Sequence, residues 1–225
     1  MKIHDISVPL SDATVPWEGV TVPWAHQEFF VDIRRGDPVT GSWWSLNTHA
    51  GTHVDTPTHF FPDGADAAST AWDHYLGPCV VAEVGEVGPE IRAADLEAMP
   101  ELRGERRVLF RTSNSRRDLW GLDRFEPEYV AIGADAAAWL VARGFVLAGI
   151  DYQGIERYDT TDHATHRTLL AGGCMILEGA DLRAVRPGRY QLICLPLRLV
   201  DGEGSPVRAV LVEDAGPGID AAGVA

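Results

Sequence analysis

The chain has 225 residues, 45% hydrophobic and 8% aromatic, which is enough for one domain with a sizeable core. Its formal net charge of −14 argues against nucleic acid or an anionic membrane as partner, because both reward clustered Lys and Arg. No run of about 18 apolar residues is present to span a membrane, and "MKIHDISVPL" has no apolar stretch before a small-residue cleavage site, so the expected location is cytoplasmic.

In chain order, runs rich in Val, Ile, Leu and aromatics predict strands over 3–8, 43–49, 79–84, 107–112, 129–132, 145–151, 174–178, 190–200 and 207–212. Helical signals are fewer. "GADAAAWLVARGF" predicts a helix that Asp135 caps, with a buried stripe of Trp139, Leu140 and Val141 and a stop at Gly144. It runs straight into the strand 145–151, the helix-to-strand step of an α/β unit. Shorter helices are expected over 93–99 and 165–173. The expected whole is one mixed α/β domain over 1–214, with more strand than helix, and a poorly ordered Gly-rich tail over 215–225. Cys79, Cys174 and Cys194 each sit in an apolar run, and an odd, scattered set suits buried thiols better than a disulfide framework.

The stretch "NTHAGTHVDTPTHF" (47–60) holds three of the chain's eight histidines. His49, His53, Asp55 and His59 lie there among Gly51, Thr52, Pro57 and Thr58. A strand ending at His49 would lead into a turn in which Gly51 permits a positive φ or a close backbone approach, and Pro57 stiffens the return. Imidazole nitrogen and carboxylate oxygen are ligands that borderline divalent metals take. His49, His53 and Asp55 would leave a coordination position open, as a catalytic metal needs. His53 and Asp55, two apart, face one side of an extended segment. The competing reading is a polar turn that is merely histidine-rich; a zinc finger has no cysteine nearby to support it.

A second polar cluster, "YDTTDHATHRTLLAGGCMILEG", carries Asp159, Asp162, His163, His166 and Glu178. Glu178 ends an apolar run, so a buried carboxylate there needs a partner or a metal; the plainer alternative is a strand-end Glu facing water. Trp17, Trp43, Trp44, Phe60, Trp72 and Tyr152 flank the two clusters and are candidates for an aromatic pocket. Arg111, Arg157 and Arg167 are candidates for a substrate carboxylate, with ordinary ion pairs as the plainer reading.

"HAGTHVDTPTHF" resembles the H-x-G-T-H-x-D-x-P-x-H signature of the metal-dependent cyclase family, which contains bacterial kynurenine formamidases and isatin hydrolases. The resemblance extends to "HDISVPL", "PW" at 16–17, "VLFRT", "LAGID", "MILEG", "YQLICLPLRL" and "PVRAVL". It implies two divalent metals, zinc or manganese. His49, His53 and Asp55 resemble the first metal's ligands, Asp55 and Glu178 the bridging carboxylates, and His166 the second metal's histidine, with His163 as its rival. His59 resembles a proton-transfer residue, and Trp17 a substrate-contacting tryptophan; Phe60 and Tyr152 are the other expected substrate contacts. The implied fold is the swivelling β/β/α type, a mixed sheet with flanking helices, and the implied assembly a homodimer or homotetramer. One stretch departs. Where the formamidases carry a Thr-Pro-Ser-Leu-Asp-Pro-like segment after the "GID" strand, this chain has "GIDYQGIERYDTTDHATH".

The expected activity is hydrolysis of a small amide, lactam or lactone. Water held between the metals would lose a proton and attack the carbonyl, His59 would transfer the proton, and Thr52 and Thr56 would orient the ligand imidazoles. A ring-closing or dehydrating cyclase acting on a carbonyl substrate is the alternative within enzymes. A metal-storing domain without turnover is the alternative outside them.

Overall fold

A computed structural model describes residues 1–18, 20 and 22–213; the expected tail lies outside them. Among the described residues the central sheet has nine strands. Its middle is parallel: β5 (Leu76–Glu83), β7 (Arg107–Arg111), β9 (Leu147–Ile150) and β10 (Met175–Glu178) lie side by side in that order. Antiparallel strands extend it at both ends. On the β5 side come β11 (Gly188–Ile193), β13 (Val210–Glu213) and β1 (Lys2–Asp5). On the β10 side come β4 (His53–Asp55) and β12 (Gly204–Pro206). Two small ribbons stand apart: an antiparallel hairpin of β2 (Ala25–Val31) with β3 (Gly41–Leu46), and the short parallel pair β6 (Glu90–Ile91) with β8 (Ala131–Ile132).

The parallel strands are apolar through their middles, between charged ends such as Arg107, Arg111 and Glu178, because both of their faces are covered. Strand alternation sends Val80, Ala82, Val108, Phe110, Ala148, Ile150 and Ile176 to one side. There they meet Leu96 of α1 (Ala93–Glu97), Ala136, Ala137 and Leu140 of α3 (Ala134–Ala142), and Leu169 and Leu170 of α4 (Ala164–Ala171). The intervening residues Cys79, Val81, Leu109, Leu147, Met175 and Leu177 face the other side, where the sheet's own outer strands close over them through Ile6, Tyr190, Leu192 and Leu211. This is a mixed α/β domain with few helices, and the three cysteines are buried free thiols.

Several elements differ from expectation. The strand expected over 190–200 stops at Ile193; beyond it Pro196 has no N–H to donate, and Leu195 and Leu197 are exposed. The strand expected over 43–49 is β3, in the hairpin rather than the main sheet, and the chain needs the turn 47–52 to reach β4. Asp135 does not cap α3. Gly133 holds the cap position, and Asp135 Oδ2 instead accepts the Ala93 N–H at 3.2 Å, fastening α3 to α1. The short α2 (Ser113–Arg116) begins at Thr112, whose hydroxyl accepts the Asn114 N–H.

Candidate metal centre

Register and alternation assemble the centre. In β4 and β10, Val54 and Leu177 point into the core closed by the outer strands, so their neighbours His53, Asp55 and Glu178 point to the opposite face, the one that α4 covers. Glu178 pairs directly across from His53. Glu178 also sits at the C-terminal end of a parallel strand, where α/β sheets build their sites. His166, from the first half of α4, comes down onto the same spot.

Two glycines let β4 and β10 meet. Gly51 has φ +64°, and its carbonyl oxygen would lie 2.2 Å from a Cβ placed on Gly179, itself at φ +74°. Both roles expected for Gly51, a positive φ and a close approach, are present. The Thr52 hydroxyl locks the junction by donating to the Gly179 carbonyl at 2.6 Å. Thr56 donates to the Gly202 carbonyl at 3.0 Å. Both threonines therefore hold backbone, and neither orients an imidazole as expected. His53 is oriented instead by the Gly51 carbonyl, 3.0 Å from Nδ1.

The polar atoms converge closely. His49 Nδ1 lies 2.8 Å from Asp55 Oδ1, and His53 Nε2 lies 3.4 Å from the same oxygen and 3.2 Å from Glu178 Oε2. His166 Nε2 lies 3.2 Å from Glu178 Oε1 and 3.7 Å from Asp55 Oδ2. Its rival His163 approaches Glu156 rather than Asp55 or Glu178, at 3.6 Å. Among the described residues, three buried atoms at this convergence have no hydrogen-bond partner: His49 Nε2, His53 Nε2 and Asp55 Oδ2. Potential ligand atoms group within 4.8 Å of one another as His49–Asp55–His59, His53–Asp55–Glu178 and Glu156–His163–His166. Buried carboxylates with unsatisfied imidazole nitrogens around them are a donor set that divalent cations fit.

The electrostatics follow from burial set against mutual charge. Burial penalises the His53 imidazolium, but Asp55 and Glu178 outweigh it and raise its pKa to about 10. His166, equally penalised by burial, is raised to about 10 by Glu156 and Glu178. Burial and the Asp55 charge push Glu178 up, yet the neighbouring His166 and His53 imidazoles win and hold it at about 2. Burial likewise opposes ionisation of Asp55, while His49 and His53 keep it well below the usual carboxylate range. His59 goes the other way: burial lowers its pKa, so it is uncharged at neutral pH.

His59 stacks on His49, with ring centroids 4.4 Å apart, and faces a cavity of about 330 Å³. Trp17, Trp24, Phe60 and Tyr158 wall this cavity, with Asn47, Gln153 and Arg157 as polar edges and His49, His53, His166 and Glu178 at its floor. Trp17 is held by Phe125 and Tyr158, at 4.7 and 5.9 Å between rings. The structure does not bring Tyr152 to the cavity. Its ring is buried between Trp120 and Tyr129, and its hydroxyl accepts the Glu126 N–H at 2.8 Å. Trp43, Trp44 and Trp72 are exposed away from it. Arg111 pairs with Glu83, and Arg157 with Asp159. Sequence reasoning missed Glu156, Trp24, Asn47 and Gln153. Glu156 and Gln153 lie just past the end of β9, and that position was the available signal.

Comparison with known proteins gives the family. The model described as "Putative cyclase" matches residues 4–157. The chain belongs to the Cyclase family. It is 38% identical over 183 residues to a kynurenine formamidase of Erythrobacter litoralis, covering 80% of this chain and 82% of that protein. It matches a solved chain described as a predicted metal-dependent hydrolase from Bacillus stearothermophilus with a TM-score of 0.80 and 29% identity, over 93% of this chain and 97% of that one. Isatin hydrolase A from Ralstonia solanacearum shares the fold, with a TM-score of 0.79 at 22% identity over 94% and 92% of the two chains. No helix among the described residues is long and apolar enough to cross a membrane.

Proposed function

We propose that this Cyclase-family chain is a metal-dependent hydrolase of a small amide, lactam or lactone, cleaving in the first two a C–N bond other than a peptide bond. His49, His53, Asp55, His166 and Glu178 are the residues that would hold two divalent cations. The observation that carries this reading is the trio of unpartnered buried atoms, His49 Nε2, His53 Nε2 and Asp55 Oδ2, at the meeting point of two buried carboxylates. A donor set of imidazole and carboxylate without thiolate suits zinc or manganese. Cations bound there supply the charge that acidifies water and polarises a carbonyl. The names of the relatives, a formamidase and a metal-dependent hydrolase, support the same class.

The chain's own residues do the rest. His59, uncharged and facing the cavity, accepts a proton as water adds to the carbonyl carbon. It returns that proton to the leaving nitrogen or oxygen as the C–N or C–O bond breaks, so substrate and water give an acid and an amine or alcohol. Trp17 and Phe60 offer flat apolar walls to an unsaturated or aromatic substrate and exclude bulk water from the reacting carbonyl. The fold is of the swivelling β/β/α type over residues 1–214. The assembly is a homodimer or homotetramer, supported by Phe30 and Trp43, 60% and 70% exposed, whose rings pack 5.7 Å apart on the β2–β3 hairpin.

Mass spectrometry of products from N-formylkynurenine, isatin and simple lactones, with metal-replete enzyme, tests the reaction class. Products one water heavier than the substrate in total mass are expected. Absence of turnover on every amide, lactam and lactone contradicts the hydrolase reading, and a product one water lighter replaces it with ring closure.

A further inference from the structure

The segment that follows β9 holds the centre from behind. The Ile155 N–H donates to Glu178 Oε1 at 2.6 Å, and one residue later Glu156 Oε2 lies 2.6 Å from His166 Nδ1. Glu156 is 5% exposed. Its other oxygen accepts the Thr165 N–H at 2.7 Å. Thr165 stands in the first turn of α4, whose cap residue His163 contributes no side-chain cap, so Glu156 satisfies an amide that the helix itself leaves open. The Glu156 backbone is fixed as well: its carbonyl accepts the Tyr129 hydroxyl, and the Ile155 carbonyl accepts the Ile132 N–H at 2.7 Å. The carboxylate is clamped before it meets the imidazole.

A neutral imidazole carries one proton on either of two nitrogens, and an ionised carboxylate can only accept. Glu156 therefore places the ring proton on Nδ1 and leaves the lone pair on Nε2. Nε2 is the nitrogen that faces Glu178 and Asp55. His53 is set by the same logic through the Gly51 carbonyl, which no substitution can alter; Glu156 is a side chain and can be changed.

We propose that Glu156 is a positioning residue that presents His166 to the second cation in a single tautomer and orientation. This rests on the two-cation reading of the centre. Glu156→Gln keeps the shape but introduces an NH₂ group. Facing His166, that group pushes the ring proton onto Nε2; facing Thr165, it opposes another donor.

The test titrates the metal-free full chain with zinc against a competing chelator, comparing wild type, Glu156→Gln, His166→Ala and the double variant. Glu156→Gln should bind the first equivalent as wild type does and the second about 10- to 100-fold more weakly. In the His166→Ala background the same change should have no further effect, since its route is gone. An unchanged second equivalent in Glu156→Gln overturns the proposal and leaves the two-cation centre standing. An equal loss in both backgrounds also overturns it, because the effect would not pass through His166. Failure of the wild type to take a second equivalent overturns the two-cation centre itself, and the proposal with it. Should Glu156→Gln not fold, Glu156→Asp keeps the charge and withdraws it by one methylene. The same weakening is expected there, and wild-type affinity is the overturning result.

Discussion

Asp55 and Asp151 are both carboxylates at strand ends, 1% and 0% exposed, and they are buried among different neighbours. Asp151 receives five donors: the Thr112 and Ser115 N–H groups at 2.8 and 3.1 Å, their hydroxyls at 2.8 and 2.6 Å, and the Asn114 amide at 3.2 Å. Burial pushes its carboxyl up against the pull of those donors. Every donor is neutral, all come from α2 and its cap, and the arrangement is complete without a ligand. Asp55 faces imidazoles, and one of its oxygens accepts no hydrogen bond among the described residues. The lesson is that burial alone does not mark a functional carboxylate. What marks it is burial among groups that satisfy one another only when a cation joins them.

The contrast can be broken by substitution. Asp55→Asn preserves shape and removes the charge. Turnover should fall by at least about a thousandfold, with cation binding lost by metal analysis. His59→Ala should keep both cations and lose about 10²- to 10⁴-fold in kcat, because only proton transfer is removed. Wild-type turnover in metal-replete His59→Ala would remove it from the chemistry. Asp151→Ala should do the reverse of Asp55→Asn. Orphaning five donors should cost about 2–4 kcal/mol of stability by denaturant unfolding, while metal stoichiometry of the folded protein stays as in wild type.

Acidity sharpens the comparison with a smaller effect. In the chelated protein His53 and His166, raised from 6.5 to about 10, contribute stability that is complete below pH 6.5 and lost as pH rises through 10. Glu178, lowered from 4.5 to about 2, contributes stability above pH 4.5 that is lost as pH falls through 2. The chelated protein should therefore melt highest between pH 4.5 and 6.5 and lose melting temperature toward alkaline pH. Cation affinity should move oppositely, tightening as pH rises from 6.5 toward 10, since a cation must displace the His53 and His166 protons. Melting scans with chelator, alongside zinc competition titrations at the same pH values, check both directions. A chelated protein that gains stability toward alkaline pH contradicts the assignment.

Much of this was legible in the residues. The parallel core reads as apolar runs, and strand alternation already places His53 and Asp55 on one face. Short elements were not legible: β4 and β12 have three residues each, too few to show a period. Tyr152 was misplaced because proximity in sequence to a site says nothing about which face an aromatic ring takes. Thr52 and Thr56 look like imidazole partners in sequence, yet close backbone approach at Gly51 and Gly179 gives the Thr52 hydroxyl the Gly179 carbonyl to hold, and Thr56 is taken by the Gly202 carbonyl. Glu156 was passed over for a related reason, although its place just past β9 was a signal. It is one charge in a polar loop, and its role depends on α4 folding back over it.

The most direct measurement is metal content of the gently purified chain by mass spectrometry, with chelation and reconstitution on wild type and Asp55→Asn. Two equivalents of zinc or manganese in wild type, lost with turnover on chelation, restored on reconstitution and absent in Asp55→Asn, are the predicted result. A reconstituted wild-type protein that retains no divalent cation would contradict the account, because the unpartnered His49, His53 and Asp55 atoms would then have to be satisfied without one.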